Sequence, residues 1–416
     1  MGPITLFDKS FLQALSAEES VWFDNFFYPV ICPIFFVETM ADLWKKPRPG
    51  KTAEEEVGII ANKCPEMQGT PCYFHEELCL GDLTGSHVPM DGRIPRAGIR
   101  QVVRNGKVAG IAEVSDEASA FQRWQRGRFY EVERNHASEW RRRVESVDLG
   151  IVEARMKQLG VNAKTCKTQA DAVRFADQAL AGLSKTPERF NSALELLGIR
   201  EDARAFIKHR WRINKRPPLT FFAPYAAHVL RVELFFHIAL GANLIASTRP
   251  SHRVDMAYLF YLPFCHMFTS ADKLHRQCAP LFMRPNQEFV WGLDLKADLQ
   301  RLNEHFHTLP EEVKAQGIYK FANQLPNESQ GLIRELLHRH TPALLTPSKS
   351  LDLNRLNQGT GKKIAEDIKK WESAPDATDD LSQSKDWDSL IIKRSVRRQR
   401  GSWLQVGPEV PDSDQS

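Results

Sequence analysis

The sequence predicts an α/β protein: a central, mostly parallel sheet flanked by helices, with a large, mainly helical insertion that contains one β-hairpin. Three observations carry this reading. Short apolar runs ending at an aspartate occur near the start (ITLFDKS) and again in MFTSADK, residues 267–273; such runs, bounded by turn residues, suit buried strands of a parallel sheet. Helical patterns separate them, the alternation from which α/β folds are built. In GIRQVVRNGKVAGIAEV, near residues 98–114, apolar and polar residues alternate around Asn105-Gly106, a strong hairpin signal.

Residues 1–45 read as the first part of the core. ITLF is a short strand ending at Asp8. Ser16-Ala-Glu-Glu19 matches a capping box, and its helix carries Val21, Trp22 and Phe26 inward. After a break at Tyr28-Pro29, Pro33 opens a second helix whose apolar residues include Ile34, Val37 and Leu43. Residues 46–215 form the insertion. It starts with the basic, Pro/Gly-broken KKPRPGK, passes through the hairpin, and becomes helical and charge-rich until Pro217-Pro218 closes it. Residues 216–340 return to apolar character: a helix through 226–240, the run VDMAYLFYLPFCHMF, a short strand in EFVWGLDL, then helices. Residues 341–416 are polar and broken, with acidic and basic stretches. They read as largely disordered, with a local element around WDSLIIK.

Composition bounds the function. The chain has 416 residues, 26% charged and 42% hydrophobic, with a net charge of +4. These are ordinary values for a globular protein, so the average charge does not announce a nucleic-acid binder. The apolar stretch VLRVELFFHIALGANLIAS carries Arg231, Glu233 and His237, which makes it a buried helix rather than a membrane span. Seven irregularly spaced cysteines suit a reducing compartment, and the location reads as cytoplasmic with no membrane partner.

The chemistry concentrates in four acids. Asp8 ends the first strand, Glu38 lies in the apolar helix PIFFVETM, and Asp255 and Asp272 flank the run VDMAYLFYLPFCHMFTSAD. A carboxylate in apolar surroundings is costly unless paired or bound to a cation. Ligands of α/β sheets gather beyond the carboxyl ends of the strands, where Asp8 and Asp272 fall. If those strands are neighbours, the acids converge and a hard divalent ion relieves their repulsion. Each acid also has a plain structural reading: Asp8 as a strand terminator, Asp255 as a helix cap, Asp272 as an Asx-turn residue.

In order, LFDKS, FFVETMADL, VDMAYL and MFTSADK resemble the PIN-domain (PilT N-terminal) nuclease family. The resemblance covers residues 4–45 and 219–300. The seventeen-residue step from Asp255 to Asp272 suits one helix and one strand; the 217 residues between Glu38 and Asp255 are far more than in small members and place the insertion there. The resemblance implies hydrolysis of phosphodiester bonds, in RNA before DNA. Asp8, Glu38, Asp255 and Asp272 would hold one or two Mg²⁺ or Mn²⁺ ions as the catalytic centre, with Ser10 and Ser270 orienting the carboxylates or water and Asp42 as an auxiliary ligand. Control by a protein inhibitor or assembly partner is common among relatives of this type. The alternative keeps the fold and drops catalysis, leaving a nucleic-acid-binding or scaffold protein. HAD-type phosphatases, which need a second Asp two residues after the first, are set aside because that position is Ser10.

The insertion adds two further candidates. RWQRGRFYEVERNHASEWRRR, with Arg123, Arg126 and Arg128, and KHRWRINKR, with Lys208, Arg210 and Arg212, interleave cations with aromatics, as single-stranded RNA or DNA favours. Helices that bury Trp and solvate Arg show the same pattern. Lys273 and His275 adjoin Asp272 and would contact phosphate or cover the site's edge. Cys64, Cys72, His75 and Cys79 offer zinc ligands but lack a tight C-x₂-C pair.

Overall fold

A computed structural model describes residues 2–65, 72–95, 99–112, 115–326, 331–345, 358–376, 389–392 and 396–407. The sheet of the core has four strands: β1 (Ile4–Phe7), β2 (Tyr28–Val30), β5 (Met267–Ser270) and β6 (Glu288–Trp291), in the order β2-β1-β5-β6. All three pairings are parallel, as the apolar, doubly buried runs lead one to expect. β2 replaces the expected break at Tyr28-Pro29. It is an edge strand, where a proline without N–H is tolerated.

Three short helices follow in the first unit: α1 (Lys9–Ala14), α2 (Ala17–Phe26) and α3 (Pro33–Met40). The capping box of α2 is formed in both directions, Glu19 N to Ser16 Oγ at 3.0 Å and Ser16 N to Glu19 Oε2 at 2.6 Å. Pro33 occupies the first turn of α3. The helix Gly292–His307 packs on α1 and α2 across one face of the sheet. Gly292 is needed there: a Cβ on it would lie 2.9 Å from the Phe11 ring and 3.0 Å from the Ser270 carbonyl carbon.

Between β2 and β5 lie a long run of helices and the hairpin of β3 (Ile99–Arg104) and β4 (Lys107–Ala112). Its turn uses Asn105 at φ 53° and Gly106 at φ 75°, the left-handed pair that the Asn-Gly sequence supplies. The long buried helix Pro224–Gly241 packs against helices Gln169–Leu183, Leu149–Gln158 and His75–Thr84. Asp82 ties the two parts together by accepting Tyr225 N at 2.7 Å and Ala226 N at 3.0 Å. One apolar core runs through both, from Leu6 and Trp22 to Trp124 and Trp211. No described helix is long and apolar enough to cross a membrane.

Parts of the tail take regular structure. The helix Gln358–Glu372 packs on β3, and β7 (Ser389–Ile392) adds to β4 in parallel. A small hairpin of β8 (Gln399–Arg400) and β9 (Trp403–Leu404) returns to α2. There Trp403 meets Trp22 edge-on at 4.8 Å, both indoles donate to Asn303 Oδ1, and buried Arg400 pairs with Asp24 at 2.8 Å. Scattered apolar residues in a polar context found a surface that only the folded core provides. Much of 341–416, including Trp387 of WDSLIIK, lies outside the described residues.

Candidate functional site

β1 and β5 are adjacent, with Phe7 opposite Thr269, so the residues that follow them emerge side by side at the carboxyl edge of the sheet. Asp8 directly follows β1 and Asp272 stands two residues beyond β5, and both cap short helices. Asp8 Oδ1 accepts Phe11 N at 2.9 Å, and Asp272 Oδ1 accepts Leu274 N at 2.6 Å. The plain capping roles of Asp8 and Asp272 are therefore present alongside any other. Asp255 is no cap: Ser251 holds that position, and Asp255 sits within the short helix His252–Ala257.

Asp8 is 3% exposed and richly bonded. Its Oδ2 accepts the hydroxyls of Ser10 at 2.7 Å and Ser270 at 2.8 Å, and faces His275 Nδ1 at 3.2 Å. The opposite ring nitrogen, Nε2, donates to the Asp255 carbonyl oxygen at 2.7 Å. A carbonyl accepts only, so Nε2 carries a proton, and the adjacent Asp8 carboxylate favours a second proton on Nδ1. Ser270 Oγ, which gives its proton to Asp8, accepts Asp272 N at 2.9 Å and lies 2.9 Å from His275 Nδ1. Ser10 Oγ accepts Ala271 N at 3.1 Å. The two serines thus stitch the ends of β1 and β5 together around Asp8.

Titration follows from this arrangement. Burial opposes ionisation of Asp8, but the hydrogen bond and charge of His275, helped by Ser10 and Phe11 N, hold it below the usual carboxylate range. Burial would likewise strip His275 of its proton; Asp8, then Asp255, outweigh it and lift the imidazole to about 9. Asp255 goes the other way. Burial raises it, His275 opposes, and the charges of Glu38, Asp272 and Asp8 add to the rise, to about 7. Asp255 thus feels one cation, His275, and the three carboxylates of Glu38, Asp272 and Asp8, with burial the larger influence.

Glu38 approaches from α3. Tyr258 donates to its Oε2 at 2.7 Å, and the ammonium of Lys9 lies 3.6 Å from Oε1. Lys9 also holds Asp42 at 2.7 Å, and Arg141 of the insertion reaches the same carboxylate at 2.7 Å. Asp42 is thus buried and neutralised by two cations, Lys9 next to β1 and Arg141 of the helix Glu131–Glu145. Lys9, Tyr258 and the inward placement of His275 were missed by sequence reasoning. His275 is 1% exposed and inside the site, not at its edge. The signal available was its place one turn after Asp272.

Oxygen-only carboxylate donors match a hard divalent ion in chemistry. Among the described residues, however, no group of three or more His, Cys, Asp or Glu side chains is arranged to hold a metal. That statement includes the zinc candidates. Cys64, Cys72 and Cys79 are buried and form no disulfide among the described residues, and burial pushes His75 down to about 3.

The basic candidates divide. Arg123 pairs with Glu133 at 2.5 Å and lies over the Tyr130 ring; Lys208 donates to Asn191; Arg210 donates to the Leu83 carbonyl and stacks on Phe222. These three are engaged in internal bonds, the result of helices packing their charged faces against each other. Arg126, Arg128, Arg212 and Lys273 face solvent.

No family model, curated protein or solved structure matches the chain.

Proposed function

We propose that the acidic residues at this sheet edge hydrolyse phosphodiester bonds of a nucleic-acid strand, RNA before DNA, with Mg²⁺ or Mn²⁺. The carrying observation is Asp255, a buried carboxyl that feels the charges of Glu38, Asp272 and Asp8 beside the single cation His275. A divalent cation is the ligand that relieves such crowding. Asp255, Glu38 and Asp272 would hold it, together with the less occupied Oδ1 of Asp8. When bound, it lowers the pKa of a water and stabilises charge developing on the leaving oxygen. The remaining residues set up the site. His275 keeps Asp8 ionised and fixed, Tyr258 fixes one oxygen of Glu38, and the two serines lock the strand ends in register.

The test is Mn²⁺-dependent cleavage of labelled single-stranded RNA and DNA. Asp255→Asn with Asp272→Asn should abolish it, by about 1,000-fold or more, while strand binding persists. Wild type without cleavage overturns the reading. A non-catalytic binding or scaffold role is favoured by one observation: the pairs His275–Asp8 and Lys9–Glu38 already neutralise part of the cluster from within. Under that role, Mn²⁺ leaves the stability of wild type unchanged.

A further inference from the structure

The loop KKPRPGK and the helix after it, Ala53–Lys63, enclose a cleft of about 90 Å³ lined by Asp42, Arg48, Lys51, Glu56, Ile60 and Lys63, among others. That is the room of a few waters, or of one phosphate group. Its acids are already answered. Asp42 is held by Lys9 and Arg141, and Glu56 accepts both the side chain and backbone of Arg48 at 3.0 Å. Its lysines are not. Lys63 donates only to the neutral Gln13 carbonyl at 3.0 Å, and Glu19, the nearby carboxylate, is taken by Lys296 at 2.6 Å. Burial, and then repulsion from Lys296, Arg48 and Lys51, lowers the Lys63 ammonium against the pull of Glu19. The cleft therefore carries cationic charge that the fold does not compensate.

Its position adds meaning to that charge. Asp42 lines the cleft and shares the Lys9 ammonium with Glu38, so one side chain separates the cleft from the acidic site. Two residues beyond Asp42, Trp44 is 58% exposed at the start of the basic loop. Cations that track a backbone beside an aromatic face are the parts of a sequence-tolerant single-strand site.

We propose that this cleft seats a phosphate of a single nucleic-acid strand, with Trp44 stacking on a neighbouring base. The proposal deepens the hydrolase reading by giving the strand a path out of the acidic site, and it rests on that reading for the strand's identity. Lys51 and Lys63 grip the backbone; the already neutralised Asp42 marks the border with the acidic site.

The experiment is fluorescence anisotropy of a short labelled single-stranded oligodeoxynucleotide on the full chain, in EDTA so that nothing is cleaved. Lys51→Glu should weaken binding about tenfold and reduce the salt slope by about 0.7 for each lost phosphate contact. Trp44→Ala should weaken it about fivefold or more with the salt slope unchanged. Lys185→Glu, an exposed charge change outside the cleft, should leave affinity as it is. Equal weakening by Lys51→Glu and Lys185→Glu, or no effect of Trp44→Ala, overturns the site. So does binding of inorganic phosphate with none of the oligonucleotide. Lys51 and Trp44 are exposed, and thermal melts of the variants check that they fold. Cleavage in Mn²⁺ with unaltered binding in these variants would sink the cleft and spare the hydrolase; the predicted binding losses without any cleavage would do the reverse.

Discussion

Asp82 and Asp255 are both aspartates lifted chiefly by burial, Asp82 to about 6 and Asp255 to about 7. Their settings differ. Asp82, at the joint between the insertion and the long helix, accepts two backbone N–H groups, and Arg210 adds a favourable charge. Its burial is explained by what it holds in place. Asp255, at the edge of the sheet, is surrounded chiefly by like charges. A raised carboxyl that ties backbone together is architecture; one raised further by other carboxylates is a place waiting for a counter-ion.

Mutation separates the two most strongly. Asp82→Ala leaves Tyr225 N and Ala226 N buried without an acceptor and should cost about 3 kcal/mol in urea unfolding. Asp255→Asn should instead stabilise the metal-free protein above pH 7, by about 1–2 kcal/mol, while cleavage disappears. A loss of stability in Asp255→Asn would erase the contrast. Next in size is the effect of Mn²⁺. At about ten times its dissociation constant it should add about 1.4 kcal/mol to wild type and to Asp82→Asn, and nothing to Asp255→Asn.

The pH dependence is the finest test. A carboxyl whose folded pKa exceeds its unfolded value binds more protons when folded, so stability falls as pH rises between the two. Asp82 gives such a decline from about pH 4 to 6, and Asp255 from about 4 to 7. His275, lifted to about 9, contributes stability that is complete below about 6.5 and lost as pH climbs through 9. Asp255→Asn should flatten the decline between 6 and 7 and leave the upper one; Asp82→Asn should flatten only the part below 6.

Local chemistry explains which features the sequence displayed. The Ser16–Glu19 box, Pro33 at a helix start and the Asn105-Gly106 turn act through neighbours in the chain, and each could be read directly. So could the step from Asp255 to Asp272, which spans the helix Ser251 caps, a 3-10 turn over Tyr258–Phe264 and β5. The charge state of the site could not. His275 meets Asp8 across 267 positions, and Arg141 meets Asp42 across 99. Lys9 stands next to Asp8 in sequence, yet its partners lie on the following helices. A lone cation gives no hint of which distant acid it serves.

The adjacency of β1 and β5 also dictates how the molecule comes into being. Thr5 has its partner at Met267, and Trp22 meets an indole at 403. At about 5–20 residues per second of synthesis, the first strand leaves the ribosome tens of seconds before its neighbour exists. Throughout that interval the nascent chain displays an unpaired strand edge and unsheltered aromatics, the surfaces through which incomplete chains associate wrongly.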